Sequence, residues 1–344
     1  MLNRIPRVPL ILLPLLAFGC AQVECPGDDS CEMSGTETAS PAFDLEMATF
    51  VVTSSQDGDS ELFLIEGRAD AEWTRLTWSV GLDHNAVWIP GRRSIVFHSA
   101  RNGAGDPSEL DLYLLDVAAE FADDETLQGR DQDAIRLTDA PGPDYLAAVD
   151  PTGNTVTFVS RRAEDGEVSA TGGHIYDVGL DAAAAGNATA RRRTSISIDA
   201  SLPPRWTPDG REILFVRRTA EGTELRAMPA TGQGERLILA DANFNYTPAQ
   251  SPDGQWLAYT AENSEGSQVI LIRPDGSDRR VLHETGSHYV AGWTPDSRQV
   301  LLEGWDPAAE RVDAMVMPMD GSSAPERLFT GSNRPSSGVA MRVR

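Results

Sequence analysis

Short runs in which apolar residues alternate or cluster with β-branched ones recur along the chain, each four to six residues long and each bounded by Gly, Pro or Asp. "TFVVTSS" (residues 49–55), "ELFLIE" (61–66), "DLYLLD" (111–116) and "QVILIR" (268–273) are examples. A period of two over so few residues is the pattern of a half-buried strand, and no 3.6-residue period runs through these segments. The expectation is an all-β protein.

Five of the runs follow a proline-led turn and superpose without gaps: "WIPGRRSIVFHS" (88–99), "VDPTGNTVTFVS" (149–160), "WTPDGREILFVR" (206–217), "QSPDGQWLAYTA" (250–261) and "WTPDSRQVLLEG" (293–304). Pro at the first corner presets φ, Asp after it offers a side-chain acceptor, and Gly takes positive φ. The prolines, Pro90, Pro151, Pro208, Pro252 and Pro295, stand 61, 57, 44 and 43 residues apart. A period of 40 to 45 residues is that of a four-stranded propeller blade. The two wider intervals hold inserted loops, at 118–133 and 180–192. In each copy strand A runs into the Pro turn, strand B follows it, and strands C and D complete the blade.

The chain ends supply a sixth copy. Residues 49–55, 61–66 and 73–78 give strands B, C and D with no strand A before them, and "SGVAMRVR" (337–344) is left over after the last full copy. Pairing the two ends closes the ring and leaves no open sheet edge at the seam. The sequence therefore predicts a six-bladed β-propeller of four-stranded antiparallel blades over residues 48–344.

"WTPDGREILFV" and "SPDGQWLAYT", the latter followed by "RPDGSDRRVL" (273–282), resemble the WD-like repeats of the TolB-type six-bladed propellers. The same repeats occur beside the catalytic domains of prolyl-oligopeptidase-type peptidases. The resemblance covers about residues 48–344 and is specific for the repeat class. TolB itself carries an N-terminal α/β domain that precedes its propeller; here polar residues 21–48 stand in that place.

The first residues read as an address. Arg4 and Arg7 precede an eleven-residue apolar run, 8–18, too short for a membrane-spanning helix, which needs about 20 residues. "LLAFGC" (15–20) resembles the lipobox of bacterial lipoproteins, which implies a signal peptide over 1–19, lipidation of Cys20 and an acidic tether over 20–47. Two or three acyl chains, at about 0.8 kcal/mol per buried CH₂, would anchor the protein durably. Ala21 and Gln22 lack the Asp that often follows the lipidated Cys in inner-membrane lipoproteins, which by analogy implies the outer membrane, facing the periplasm or the cell surface. Cys25 and Cys31 enclose "CPGDDSC", the pattern of a local disulfide in an oxidising envelope; two thiols with no His nearby make a poor zinc site.

Charge narrows the partners. The formal net charge is -23, all 29 cationic side chains are Arg, and a surface this acidic repels phosphate backbones, so nucleic acid is excluded as a partner. A monomer touching the membrane through its anchor alone is expected. The sequence lacks a G-x-S-x-G elbow, an H-E-x-x-H pair and a Gly-rich phosphate loop. "HETGSH" places His283 and His288 in one loop, but its spacing misses the zincin pattern and no metal or other cofactor is read there.

Aligned on the turn, Trp88, Trp206 and Trp293 fall two residues before the proline and, with Phe97, Phe158, Phe215 and Tyr259, are expected to pack between blades. Arg75, Arg136, Arg236 and Arg327 recur on the outermost strand, where charge discourages sheet-to-sheet association. Six residues before the prolines stand His84, Tyr145, Leu202, Tyr246 and Tyr289, at the start of strand A on the face opposite the Pro turns. Tyr combines apolar area with a hydrogen-bonding tip, so these residues, with His283 and His288, are the candidates for a mouth that recognises a protein or cell-wall partner. The alternative is a propeller enzyme, a sugar lyase or hydrolase acting at that mouth.

Overall fold

The computed structural model describes residues 43–45, 48–55, 59–66, 73–117, 133–162, 172–232, 234–241, 248–263, 266–284, 286–306, 308, 311–329 and 337–343. Signal, lipidation and disulfide positions, Cys20, Cys25 and Cys31 included, lie outside these residues, as does Tyr246. The described residues fall in the unit Ala42–Arg344.

The chain runs through β1 (Ala48–Ser54), β2 (Glu61–Glu66) and β3 (Trp73–Arg75), then β4 (Asp83–Trp88), β5 (Ser94–Ser99), β6 (Asp111–Asp116) and β7 (Ile135–Arg136). Next come β8 (Asp144–Val149), β9 (Thr155–Ser160), β10 (His174–Gly179) and β11 (Arg191–Arg192), followed by β12 (Arg205–Trp206), β13 (Glu212–Arg218), β14 (Thr223–Pro229) and β15 (Arg236–Asp241). The last strands are β16 (Ala249–Gln250), β17 (Leu257–Asn263), β18 (Gly266–Ile272), β19 (Arg280–His283), β20 (His288–Trp293), β21 (Gln299–Asp306), β22 (Arg311–Pro318), β23 (Glu326–Arg327) and β24 (Ser337–Val343). They form six four-stranded antiparallel sheets, five built from consecutive strands and one in the order β24-β1-β2-β3. That sixth sheet is the predicted seam: Ala48 pairs with Val343, Thr49 with Arg342 and Phe50 with Met341.

Among the described residues six hydrophobic clusters hold the ring, one at each junction between neighbouring blades. Between blades 2 and 3, Ile89, Val96 and Leu112 meet Val156, Phe158 and Tyr176. At the seam, Phe50, Phe63 and Ile65 of blade 1 meet Ala314 and Phe329 of blade 6, with Phe43 and Leu45 packed on. The repeated Trp residues tie inner strands to the preceding blade as expected of packing groups. The indole of Trp88 donates to the Ala340 carbonyl at 3.2 Å, that of Trp206 to the Thr157 hydroxyl at 3.1 Å, and that of Trp293 to the Ala249 carbonyl at 2.8 Å.

The turns use the chemistry their sequence announced. Asp209 and Asp296 accept both the hydroxyl two residues before (Thr207, Thr294, each 2.6 Å) and the backbone N–H two residues after (Arg211, Arg298, each 3.1 Å). Gly210 and Gly254 sit at φ +68° and +74°, and Ser297 takes the same left-handed place at +61° without glycine's freedom.

Two features differ from the sequence reading. The insertion after β10 is not all loop: its alanine run forms a short helix, α1 (Leu180–Ala184), with Leu180 and Ala183 buried against blade 2. Alanine's helix propensity decides this once Leu180 has a core to enter. The outer-strand arginines also do more than protect an edge. Arg75 pairs with Glu61 and Arg136 with Asp111, each at 2.6 Å, and Arg327 pairs with Asp313 at 3.1 Å, binding the short fourth strand to the start of the third. Among the described residues no helix is long and apolar enough to cross a membrane.

Candidate functional site

The longer inner strands β4, β8 and β20 begin on the face opposite the Pro turns, and in each the residue six before the proline lies directly across the ladder from the residue eight after it. His84 faces His98, Tyr145 faces Val159, Tyr289 faces Glu303, and at the seam Ser337 faces Thr53. The entrance to the channel is therefore lined in pairs, one residue from strand A and one from strand B. Sequence alignment picked out the first set and passed over the second, although His98, Thr260 and Glu303 share one repeat position.

The inner strands bulge just past this point. Register shifts lie between His84 and Val87, Tyr145 and Ala148, Val290 and Gly292, and between Val51 and Thr53 at the seam. Asn85, Leu146 and Gly338 take φ of +51°, +54° and +59° at the bulges. A bulge frees a backbone N–H that has to be paired when buried. The preceding blade supplies the acceptor each time: His98 Nδ1 for Leu146 N–H at 3.4 Å, the Thr260 hydroxyl for Val290 N–H at 3.0 Å, and Glu303 Oε1 for Val339 N–H at 3.2 Å.

At blades 2 and 3 this arrangement gathers a cluster. The rings of His84 and His98 stack with centroids 5.8 Å apart, and His98 meets the edge of Tyr145 at 6.2 Å. Arg161 Nε donates to the Tyr145 hydroxyl at 3.1 Å. On the far side of the mouth the Tyr289 hydroxyl donates to Glu262 at 3.0 Å. Burial holds both histidines below their ordinary pKa, and in His98, also next to His84, the value falls to about 3. Neutral His98 is what the Leu146 N–H requires, since a protonated Nδ1 cannot accept.

This has a pH consequence with a definite sign. Folding depresses the His98 pKa below 6.5, so the unfolded chain takes up a proton that the folded chain refuses. The contribution is fully present above that value and is lost progressively as pH falls from there toward the folded value of about 3. The difference in melting temperature between wild type and His98→Gln is therefore expected to shrink steadily from pH 7.5 to pH 5; a constant difference over that range would show that His98 does not titrate on unfolding.

His283 and His288 are brought together, ring centroids 5.1 Å apart, but not with the other candidates. His288 stands seven residues before its proline, the place of Asp83 and Asp144 in other blades, which is between blades rather than at the mouth. Its backbone N–H donates to Ser267 of blade 5 at 2.8 Å. Leu202 is buried. Among the described residues no group of three or more His, Cys, Asp or Glu side chains is placed to hold a metal ion.

Two exposed apolar side chains share the mouth face. Trp305, 45% exposed, lies near the end of β21, and Val80, 70% exposed, lies in the connection from blade 1 to blade 2. Both fall outside the stretches aligned on the turn proline, and reading the sequence passed over them.

No protein-family model matches the chain. Over 83 residues, 24% of the chain, it is 28% identical to the Tol-Pal system protein TolB of Desulfosudis oleivorans; that stretch spans 19% of the curated relative's length. Among solved structures, TolB from Acinetobacter baumannii superposes with a TM-score of 0.65 at 15% identity, over 87% of this chain and 67% of that one. An oligogalacturonate lyase in complex with manganese superposes with a TM-score of 0.54 at 14% identity, over 84% of this chain and 75% of that one. The likeness is one of architecture, and in architecture the chain is a TolB-type six-bladed β-propeller.

Proposed function

We propose that this chain is a non-catalytic binding protein of the bacterial cell envelope, lipid-anchored through Cys20, that recognises a protein or cell-wall partner through the mouth of its channel. The observation that carries the reading is the convergence on one face of His84, His98, Tyr145 and Tyr289 around the entrance, with Trp305 exposed beside them. Aromatic groups with a polar tip are the side chains that dominate recognition surfaces, and Trp is enriched among the residues that carry binding energy. The likeness to TolB, named for the Tol-Pal system, supports an envelope setting.

Replacing Tyr289 and Trp305 together by Ala is expected to weaken capture of the partner from envelope extracts by about 2 kcal/mol or more, while the melting temperature stays within a few degrees. Capture equal to wild type would assign both residues to the scaffold. The anchor is tested separately: Cys20→Ala is expected to move the protein from the membrane fraction to a soluble or unprocessed form, and unchanged detergent partitioning would end the lipoprotein reading.

The lyase likeness supports a second reading, an enzyme acting on a sugar polymer at the same mouth. It is separated from the first by an assay: depolymerisation of an acidic polysaccharide by the purified chain, lost in His98→Gln, would favour the enzyme.

A further inference from the structure

At the junction of blades 5 and 6 one rung of the repeat is rewritten. Across strands A, B and C that rung runs Asp83, Ser99, Asp111 in blade 2 and Asp144, Ser160, His174 in blade 3. In blade 6 it reads His288, Gly304, Asp313. The arginine that pairs with the buried acid in blades 2 and 3, Arg101 or Arg162, stands eleven residues after the turn proline, and Asp306 holds that place in blade 6. An imidazole thus replaces the acid, an acid replaces its cation, and the strand between carries no side chain.

The place left by Gly304 is filled from both sides. A Cβ there would collide with Met315 Sδ, from β22, and would lie 3.0 Å from His288 Cδ2 and 3.4 Å from its Nε2, from β20. Gly286 flanks the same ring, since a Cβ on it would lie 2.6 Å from Cε1 and 2.9 Å from Nδ1. Sulfur and imidazole therefore converge over one glycine. On β19 of blade 5 stands His283, its ring centre 5.1 Å from that of His288. Two imidazoles sharing one ion, each with a nitrogen about 2.0–2.1 Å from it at a tetrahedral angle, have ring centres about 5 Å apart. His283, His288 and Met315 are all partly exposed, so an ion can reach them from solvent.

We propose that His283, His288 and Met315 form a binding site for a soft monovalent metal ion, Cu(I), at the junction of blades 5 and 6. The donor set chooses the ion. Thioether sulfur selects Cu(I) and imidazole suits it, whereas hard divalent ions take oxygen ligands. The acid on the same rung is engaged elsewhere: Asp313 pairs with Arg311 and Arg327, each at 3.1 Å. Two nitrogens and one sulfur make a neutral set that leaves the charge of the ion uncompensated, which in a half-buried place costs less for one charge than for two. The site is distinct from the mouth and does not rest on the reading of it.

The test uses the full-length chain carrying Cys20→Ser, Cys25→Ser and Cys31→Ser, so that no thiol competes for the metal. Cu(I), kept reduced with ascorbate, is titrated in, and Zn(II) serves as the comparison. Cu(I) is diamagnetic, so the ring C–H resonances of His283 and His288 and the methyl resonance of Met315 report on it directly, each assigned by its loss in His283→Gln, His288→Gln or Met315→Leu. One equivalent of Cu(I) is expected to move all three resonances and to hold the site against an equal concentration of Zn(II). Met315→Leu nearly conserves side-chain volume, so it should melt within a few degrees of wild type while Cu(I) affinity falls about tenfold or more. Cu(I) moving the histidine resonances but not that of Met315, equal Cu(I) affinity in Met315→Leu, or Zn(II) binding more tightly than Cu(I) would each overturn the assignment.

Discussion

Removing residues 337–344, and with them β24, is expected to lower the melting temperature by tens of degrees or to leave the protein aggregated. β24 is the only inner strand of blade 1, and its loss strips the ladder that joins Ala48 to Val343 and Phe50 to Met341. Each net hydrogen bond contributes about 0.5–1.5 kcal/mol. The deletion also uncovers Phe50 and Val52, both essentially inaccessible in the closed ring, at about 1.5–3 kcal/mol for each large apolar side chain exposed. It removes the carbonyl that holds the Trp88 indole and the N–H bound by Glu303. A domain stable by about 5–15 kcal/mol does not survive such losses together. Removing residues 34–41, which lie outside the described residues, is expected to change the melting temperature little. Equal tolerance of both deletions would mean that the ring does not close through its C-terminus.

The second large effect is expected at Asp144. This carboxylate is fully buried at the start of β8 and pairs with Arg162, whose guanidinium lies over the rings of Phe158 and Tyr176 at 5.8 and 4.8 Å. Blade 2 repeats the arrangement, with Arg101 paired to Asp83 at 3.0 Å over Phe97 and Tyr113. Asp144→Ala removes one partner and strands the other charge, and is expected to destabilise the protein by about 3–5 kcal/mol. The double variant Asp144→Ala, Arg162→Leu should recover a large part of that loss, since it removes the stranded charge as well. Denaturant midpoints of the three variants decide it: a double variant no more stable than the single one would show that the pair is not coupled.

Most of the architecture was legible because the Pro turn repeats. A turn fixes where strands A and B begin, so five copies and the leftover ends at residues 49–78 and 337–344 were enough to count six blades and close the ring. The site was less legible. His84, Tyr145 and Tyr289 share an offset from the proline and did fall on one face, whereas His283 and His288, joined by adjacency in "HETGSH", belong between blades. A one-residue step along a strand turns a side chain to the opposite face, and His288 is one step from Tyr289. The bulges at Asn85 and Leu146 hid more, because a bulge has no signature in side-chain alternation when the residue taking positive φ is not glycine. His98 and Glu303 acquire their roles from those bulges: each pairs an N–H freed on the next blade, a partnership with no local trace in sequence.

The reading of the mouth as the recognition surface is tested most directly by placing a photo-crosslinking amino acid at four exposed positions, one per protein, in the full-length chain. Val80 and Trp305 lie on the mouth face; Arg211 and Asp209, in the turn after Pro208, lie on the opposite face. A partner of one defined mass joined from Val80 or Trp305 and from neither turn position is the result expected. The same partner joined from Arg211 or Asp209, with nothing from the mouth face, would contradict it.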